Sequence, residues 1–183
     1  LIEASLRGVL LRHPELHGIA LLDAQGRRRY GTEGDPDVRA WALGSRRNAD
    51  QVFVGPYQRL ADGEAVVRLA LPLASGDWVV ASWRVAALQR IVGGVDAGRD
   101  GVVALTDTHG LLLAASRPAA GTIGSRLLLP LGLVRGLPQG SALGMQRSVF
   151  DRQPRMLAVS GGGAYPLLAV SGLAVREALA PWW

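Results

Sequence analysis

Two histidines, His13 and His17, stand four residues apart, the spacing at which a helix offers two metal ligands from one face. Pro14 lies between them and breaks a helix there, and no third ligand accompanies them. The expectation is therefore a loop at a strand entrance, with no metal and no cofactor. Ser160, His109 and Asp107 have the side chains of a nucleophile, a base and an orienting carboxylate. No Gly-x-Ser-x-Gly elbow surrounds Ser160, however, and Asp107 sits in a turn where structure alone accounts for it. Gly161, Gly162 and Gly163 have the flexibility to cradle a phosphate but lack a following helix and a lysine. These residues do not assemble a catalytic set, and the segment is expected to have no turnover.

Arginine offers a different chemistry. Arg68 lies inside the apolar run Ala65-Val66-Val67-Arg68-Leu69-Ala70-Leu71. A guanidinium in such a run either points out to water or meets an anion. If it points inward, a carboxylate is its natural partner. Arg46 and Arg47 fall in the same half of the chain, as do Trp41, Phe53, Tyr57 and Trp83. Those aromatics suit the walls of a pocket or, equally, a packed core. The candidate binding set is thus Trp41, Arg46, Arg47, Phe53, Tyr57, Arg68 and Trp83, and the implied ligand is a small anionic metabolite.

Composition narrows the field further. The 183 residues include 20 Lys+Arg, every one an arginine, and no cysteine. Without lysine there is no P-loop lysine and no Schiff-base chemistry; without cysteine there is no thiol nucleophile, disulfide or thiolate metal site. The net charge is +5 and the pI about 10.9. The arginines are scattered, with clusters only at Arg27-Arg28-Arg29 and Arg46-Arg47, so no nucleic-acid surface is expected. A chain 49% hydrophobic and 19% charged can bury a core.

The elements that must position these residues follow from periodicity. Ile2, Leu6, Val9 and Leu10 make one face of an opening helix. Residues 19–26, Ile-Ala-Leu-Leu-Asp-Ala-Gln-Gly, are echoed by residues 103–110, Val-Ala-Leu-Thr-Asp-Thr-His-Gly, and both Asp23 to Asp107 and Gly26 to Gly110 span 84 positions. Each copy is an apolar strand closed by Asp-x-x-Gly, in which aspartate takes backbone N–H groups and glycine supplies positive φ. Behind the first comes a helix signal at Asp35-Pro36-Asp37, ending at Gly44. Strands are expected over 51–57, 65–73 and 78–85, then a short helix over 86–92. Behind the second, 124–136 is irregular or helical, strands cover 142–150, 155–159 and 167–173, and 175–180 closes as a helix. Residues 157–175 carry no charge over 19 residues, close to bilayer length. Gly161, Gly162, Gly163 and Pro166 break that run into a hairpin instead.

The order of these motifs resembles the double Cache family of tandem PAS-like extracytoplasmic sensor domains. The matching stretches are 13–26, Val54-Gly55-Pro56-Tyr57 and Leu71-Pro72-Leu73 in the first half. In the second they are 103–110, Gly121-Thr122-Ile123-Gly124 and Ala164-Tyr165-Pro166-Leu167. The resemblance implies an α+β fold of two tandem PAS-like modules, each an antiparallel five-stranded sheet flanked by helices, with an N-terminal helical stem. It assigns 1–17 to the helix and entry loop, 18–95 to a membrane-distal module, 96–178 to a membrane-proximal module and 179–183 to a juxtamembrane end. The opening helix reads as truncated, and Trp182-Trp183 reads either as an aromatic belt before a membrane span or as an anchor onto the core.

By resemblance, the segment is the periplasmic portion of an inner-membrane signalling protein, with the transmembrane helices of its own chain and a homodimer as partners. It would sense a small ligand in the distal module and relay it to a histidine kinase, diguanylate cyclase or phosphodiesterase output. Gly44–Asp50 departs from the family, lacking the aromatic pair of an Arg-x-Tyr-Phe-like segment, and the amine-binding pattern is not evident; an amino-acid ligand is therefore not carried over. The alternatives are a ligand-free dimerisation or docking ectodomain and a soluble hydrolase.

Overall fold

The computed structural model describes residues 1–32, 51–118, 121–127, 140–148, 152–163 and 165–180. The helix expected over 35–44 and most of the 124–136 segment lie outside them. The chain divides into two compact units, Leu1–Ala87 and Leu88–Trp183.

The first unit opens with α1 (Ile2–Arg12), whose Leu6, Val9 and Leu10 are partly buried as the spacing predicts, while Ile2, expected on the same face, is exposed in the first turn. α1 lies against β1 (Leu16–Leu22) and β2 (Arg28–Gly31). Three more strands follow as a meander: β3 (Phe53–Arg59), β4 (Ala65–Pro72) and β5 (Trp78–Arg84). β5 returns to lie beside β1, so the sheet order is β2-β1-β5-β4-β3, antiparallel throughout. Ala20, Leu22, Ala70, Trp78 and Val80 form the core of this sheet, with Phe53 packed against them.

Helix α2 (Val85–Gly93) leads into the second unit, which repeats the plan. Its strands are β6 (Val102–Asp107), β7 (Leu112–Ala115), β8 (Ser141–Arg147), β9 (Pro154–Gly161) and β10 (Leu167–Ala174), ordered β7-β6-β10-β9-β8. A short helix, α3 (Val175–Leu179), follows. The core is Ala104, Leu112, Ala115, Val159, Leu168 and Val170. The uncharged run is the β9–β10 hairpin, paired from Leu168↔Gly161 to Ala174↔Arg155. Among the described residues no helix is long and apolar enough to cross a membrane.

The duplicated motif folds as the same turn twice. Asp23 N–H donates to Arg27 O and Gly26 N–H to Asp23 O; Asp107 N–H donates to Leu111 O and Gly110 N–H to Asp107 O. Gly26 has φ 78° and Gly110 φ 82°, the region that favours glycine. At Gly110 a Cβ would also come within 2.5 Å of Leu127 O, so close approach and φ both demand glycine there.

Candidate functional site

Directly paired residues of an antiparallel sheet project to the same face. Arg68 pairs with Ser82, Ala70 with Val80 and Pro72 with Trp78 across β4 and β5. On the other side of β5, Gly18 pairs with Ser82, Ala20 with Val80 and Leu22 with Trp78. Arg68 and Ser82 therefore sit on the core face of the first sheet, beside the cluster of Ala20, Leu22, Ala70, Trp78 and Val80. Of the two orientations open to Arg68 from its sequence, the register selects the inward one.

This pair of side chains carries an unmet demand. Ser82 is fully buried, and neither its Oγ nor Arg68 Nε has a hydrogen-bond partner among the described residues. Leaving a buried polar atom unpaired costs about 1–3 kcal/mol, so two on facing residues of one sheet face call for an explanation. A guanidinium N–H and a hydroxyl, side by side on an apolar floor, are the donors an anion needs. Phe53 joins that floor: it pairs with Ala70, and its ring stands 5.9 Å from that of Trp78 at 57°. Such tilted aromatic pairs are favoured by their quadrupoles.

Tyr57 and Trp83 lie on the opposite face. Tyr57 pairs with Val67, and Val67 with Trp83. Plain alternation would have kept Phe53 and Tyr57 on one side. The register shifts between Val54 and Tyr57, however, because three steps on β3 oppose two on β4. The cause is Gly55-Pro56: proline has no N–H for the ladder, and the strand bulges around it. The indole Nε1 of Trp83 is buried without a partner among the described residues, on the face away from Arg68. Trp41, Arg46 and Arg47 lie outside the described residues.

Two residues further along the same face, beyond Ser82, comes Arg84, paired with Val66. Arg84 Nη1 donates to both carboxylate oxygens of Glu64, to Oε2 at 2.5 Å, and its Nε donates to Leu16 O at 3.3 Å. His17 donates from Nδ1 to Glu64 Oε2 at 3.0 Å. Burial would raise the Glu64 carboxyl, but the hydrogen bonds from Arg84 and His17 outweigh it and hold the group below its ordinary range. His17, Asp62 and Glu64 also bring one donor atom each within 4.8 Å of the others. A cation there would have to share Glu64 with a guanidinium already bound to it, so the cluster reads as a charge network tying β1 to β4 and β5. His13, by contrast, turns to Glu15, with Nδ1 2.9 Å from Oε1. The two histidines answer to different carboxylates and do not act as a pair.

The paper triad does not assemble. Asp107 Oδ1 is taken by the N–H groups of His109 and Leu111, at 2.8 and 2.7 Å. His109 Nδ1 is 3.8 Å from Asp107 Oδ2, beyond hydrogen-bond range. Ser160 on β9 pairs with Ala169 on β10, while Asp107 on β6 pairs with Leu167, so all of β10 intervenes, roughly 10 Å at the usual strand spacing.

No family model and no curated protein matches the chain. Solved structures do. The extracellular domain of rpHK1S-Z16, a protein assigned as a histidine kinase, has a TM-score of 0.71 at 20% identity, over 99% of this chain and 80% of that one. The ligand-binding domain of the Pseudomonas aeruginosa PAO1 amino-acid chemoreceptor PctB, in complex with L-Arg, gives 0.62 at 18%, over 97% and 80%. That of PctC from the same strain, in complex with GABA, gives 0.58 at 21%, over 94% and 80%. The chain shares their fold: two antiparallel five-stranded sheets in tandem PAS-like modules behind an N-terminal helix.

Proposed function

We propose that this segment is the extracytoplasmic sensory domain of a transmembrane signalling protein, and that its first module binds a small carboxylate-bearing metabolite. The observation that carries the ligand class is the Arg68–Ser82 pair, whose Nε and Oγ are buried on the core face without a partner among the described residues. The fold supports the sensory role, since its structural neighbours are extracellular or ligand-binding domains. GABA and L-Arg, the molecules those neighbours hold, both carry a carboxylate. In this reading Arg68 takes the carboxylate, Ser82 donates beside it, and Phe53 and Trp78 floor the pocket. Trp41, Arg46 and Arg47, outside the described residues, stay in the candidate set on their chemistry alone. The segment has no catalytic duty; the parent chain supplies flanking membrane helices, a homodimer and an output of the histidine-kinase or cyclic-dinucleotide kind. Binding acts on that output only if the ligand favours one arrangement of the domain over another.

The test is a thermal-shift screen of carboxylates on the 183-residue chain, followed by calorimetry. A binder should lose about ten- to a hundredfold in affinity in Arg68→Ala, the worth of one charge-assisted contact at about 1.5–3 kcal/mol. A folded Arg68→Ala that binds unchanged would refute the site. No binder among small carboxylates, sugars and amines would favour a docking ectodomain instead.

A further inference from the structure

Within the second unit, the segment that links α2 to β6 is fastened to α3. Glu177 of α3 turns its carboxylate onto the segment's backbone: Oε1 accepts the N–H of Arg99 at 2.8 Å and Oε2 that of Asp100 at 3.0 Å. Its neighbour Arg176 donates from Nη2 and Nε to Asp100 Oδ2 at 2.6 and 3.1 Å. From β9, Arg155 Nη1 donates to the carbonyl of Asp100, and Arg155 is itself only 4% exposed. Asp100 is thus held at its N–H, its carboxylate and its carbonyl by three residues.

Apart from the Arg155 bond to the segment and the approach of α3 to β9 and β10, little holds either partner in place. α3 has five residues, none of them buried, and a helix that short does not persist on its own hydrogen bonds. Residues 94–101 belong to no strand or helix, and a turn closed by Asp96, whose Oδ1 accepts the Gly98 N–H at 2.9 Å, shapes them locally. The approach of the two is tight. Gly98 has φ +83°, and a Cβ there would stand 2.5 Å from Glu177 Oε1. Glycine is what lets the carboxylate reach the two N–H groups behind it.

We propose that residues 96–101 and α3 form a single latch, opening and closing as one cooperative unit, so that a displacement at the end of α2 is felt at α3. Each element supplies what the other lacks: the segment gives α3 a charged anchor, and α3 satisfies the segment's orphan N–H groups.

Amide hydrogen exchange on the 183-residue chain tests this. Glu177→Ala should speed exchange roughly tenfold or more at Arg99 and Asp100 and, with it, across 175–180, while Ala104 and Val170 in the sheet keep their protection. Gly98→Ala should produce the same paired loss although it removes no carboxylate and no helix residue. Arg176→Ala, whose side chain is 73% exposed, should change either element by no more than about twofold. The latch is refuted if either of the first two variants loosens Arg99 and Asp100 while 175–180 exchanges as before, or if both leave exchange unchanged. Should Glu177→Ala also strip protection from the sheet, Gly98→Ala decides by the same criterion.

Discussion

Asp23 Oδ1 accepts the N–H groups of Gln25 and Arg27 at 2.9 and 2.8 Å, and Asp107 Oδ1 accepts those of His109 and Leu111 at 2.8 and 2.7 Å. Two carboxylates in separate units, 84 positions apart, build one turn twice. Their surroundings differ. Asp23 is solvated, and the backbone hydrogen bond from Arg27 is the main cause that holds its carboxyl below the ordinary value. Asp107 is 8% exposed. Removing an acceptor from buried donors costs more than removing it from donors that water can reach. Asp107→Ala is expected to cost about 2 kcal/mol in urea unfolding, and Asp23→Ala distinctly less. The reverse order would mean that burial does not set the worth of this turn.

Acid should weaken the first unit through Glu64. Arg84 and His17 hold its carboxyl below the ordinary value of 4.5 against the opposing pull of burial, so the folded state binds its proton less readily than the unfolded chain. The stability this contributes is complete above that ordinary value and disappears as pH falls through the lowered folded value. Facing Glu64 are His17, Arg84 and Asp62, and its side chain is 26% exposed, so the contribution is modest, about 1 kcal/mol. Thermal melts between about pH 6 and pH 3 should show a shallower decline in Glu64→Gln than in the parent. Parallel curves would remove Glu64 from the account.

The sequence announces the parts of this fold that are local. Asp-x-x-Gly specifies a turn within four residues, which is why the hairpins at Asp23 and Asp107 and the pairing of their strands can be read directly. The glycine run with Pro166 gives away the β9–β10 hairpin by the same logic. What escapes is set by contacts remote in the chain or by one-residue offsets. The bulge at Gly55-Pro56 reverses the face of Tyr57 relative to Phe53, and alternation has no means of showing it. His17 meets Glu64 across 47 positions, and Glu177 meets Arg99 across 78, with nothing local to flag either. Arg68 is the intermediate case. Its apolar run shows that it is anomalous, but only the pairing of β4 with β5 shows that it faces the core with Ser82.

Thr106 offers a check on unpaired buried groups away from the proposed ligand site. It is fully buried on β6, and its Oγ1 has no partner among the described residues. It pairs with Leu168, on the face of Ala104, Leu168 and Val170. Valine has nearly the same shape and no hydroxyl to leave unsatisfied. Thr106→Val should raise stability by up to about 1 kcal/mol and leave ligand affinity unchanged. A loss of stability would reveal that the hydroxyl is satisfied in solution.

Ser82→Ala should separate stability from binding in one variant. The Ser82 hydroxyl is fully buried and has no partner among the described residues, so deleting it should remove an unmet donor and leave only a small void. The free chain should be as stable as the parent or more so, by up to about 1 kcal/mol. In the proposed complex the hydroxyl would donate to a carboxylate held by Arg68, and its loss should weaken binding about three- to tenfold, the worth of a hydrogen bond of about 1 kcal/mol. The two effects carry opposite signs. A variant that merely damaged the fold would lower melting temperature and affinity together, and a variant remote from the site would leave affinity alone. Melting curves of the free chain alongside calorimetry with whichever carboxylate binds therefore read the two roles independently. Destabilisation of the free chain would show that Ser82 is bonded within the fold, and unchanged affinity would remove it from the site while leaving Arg68 to stand on its own variant.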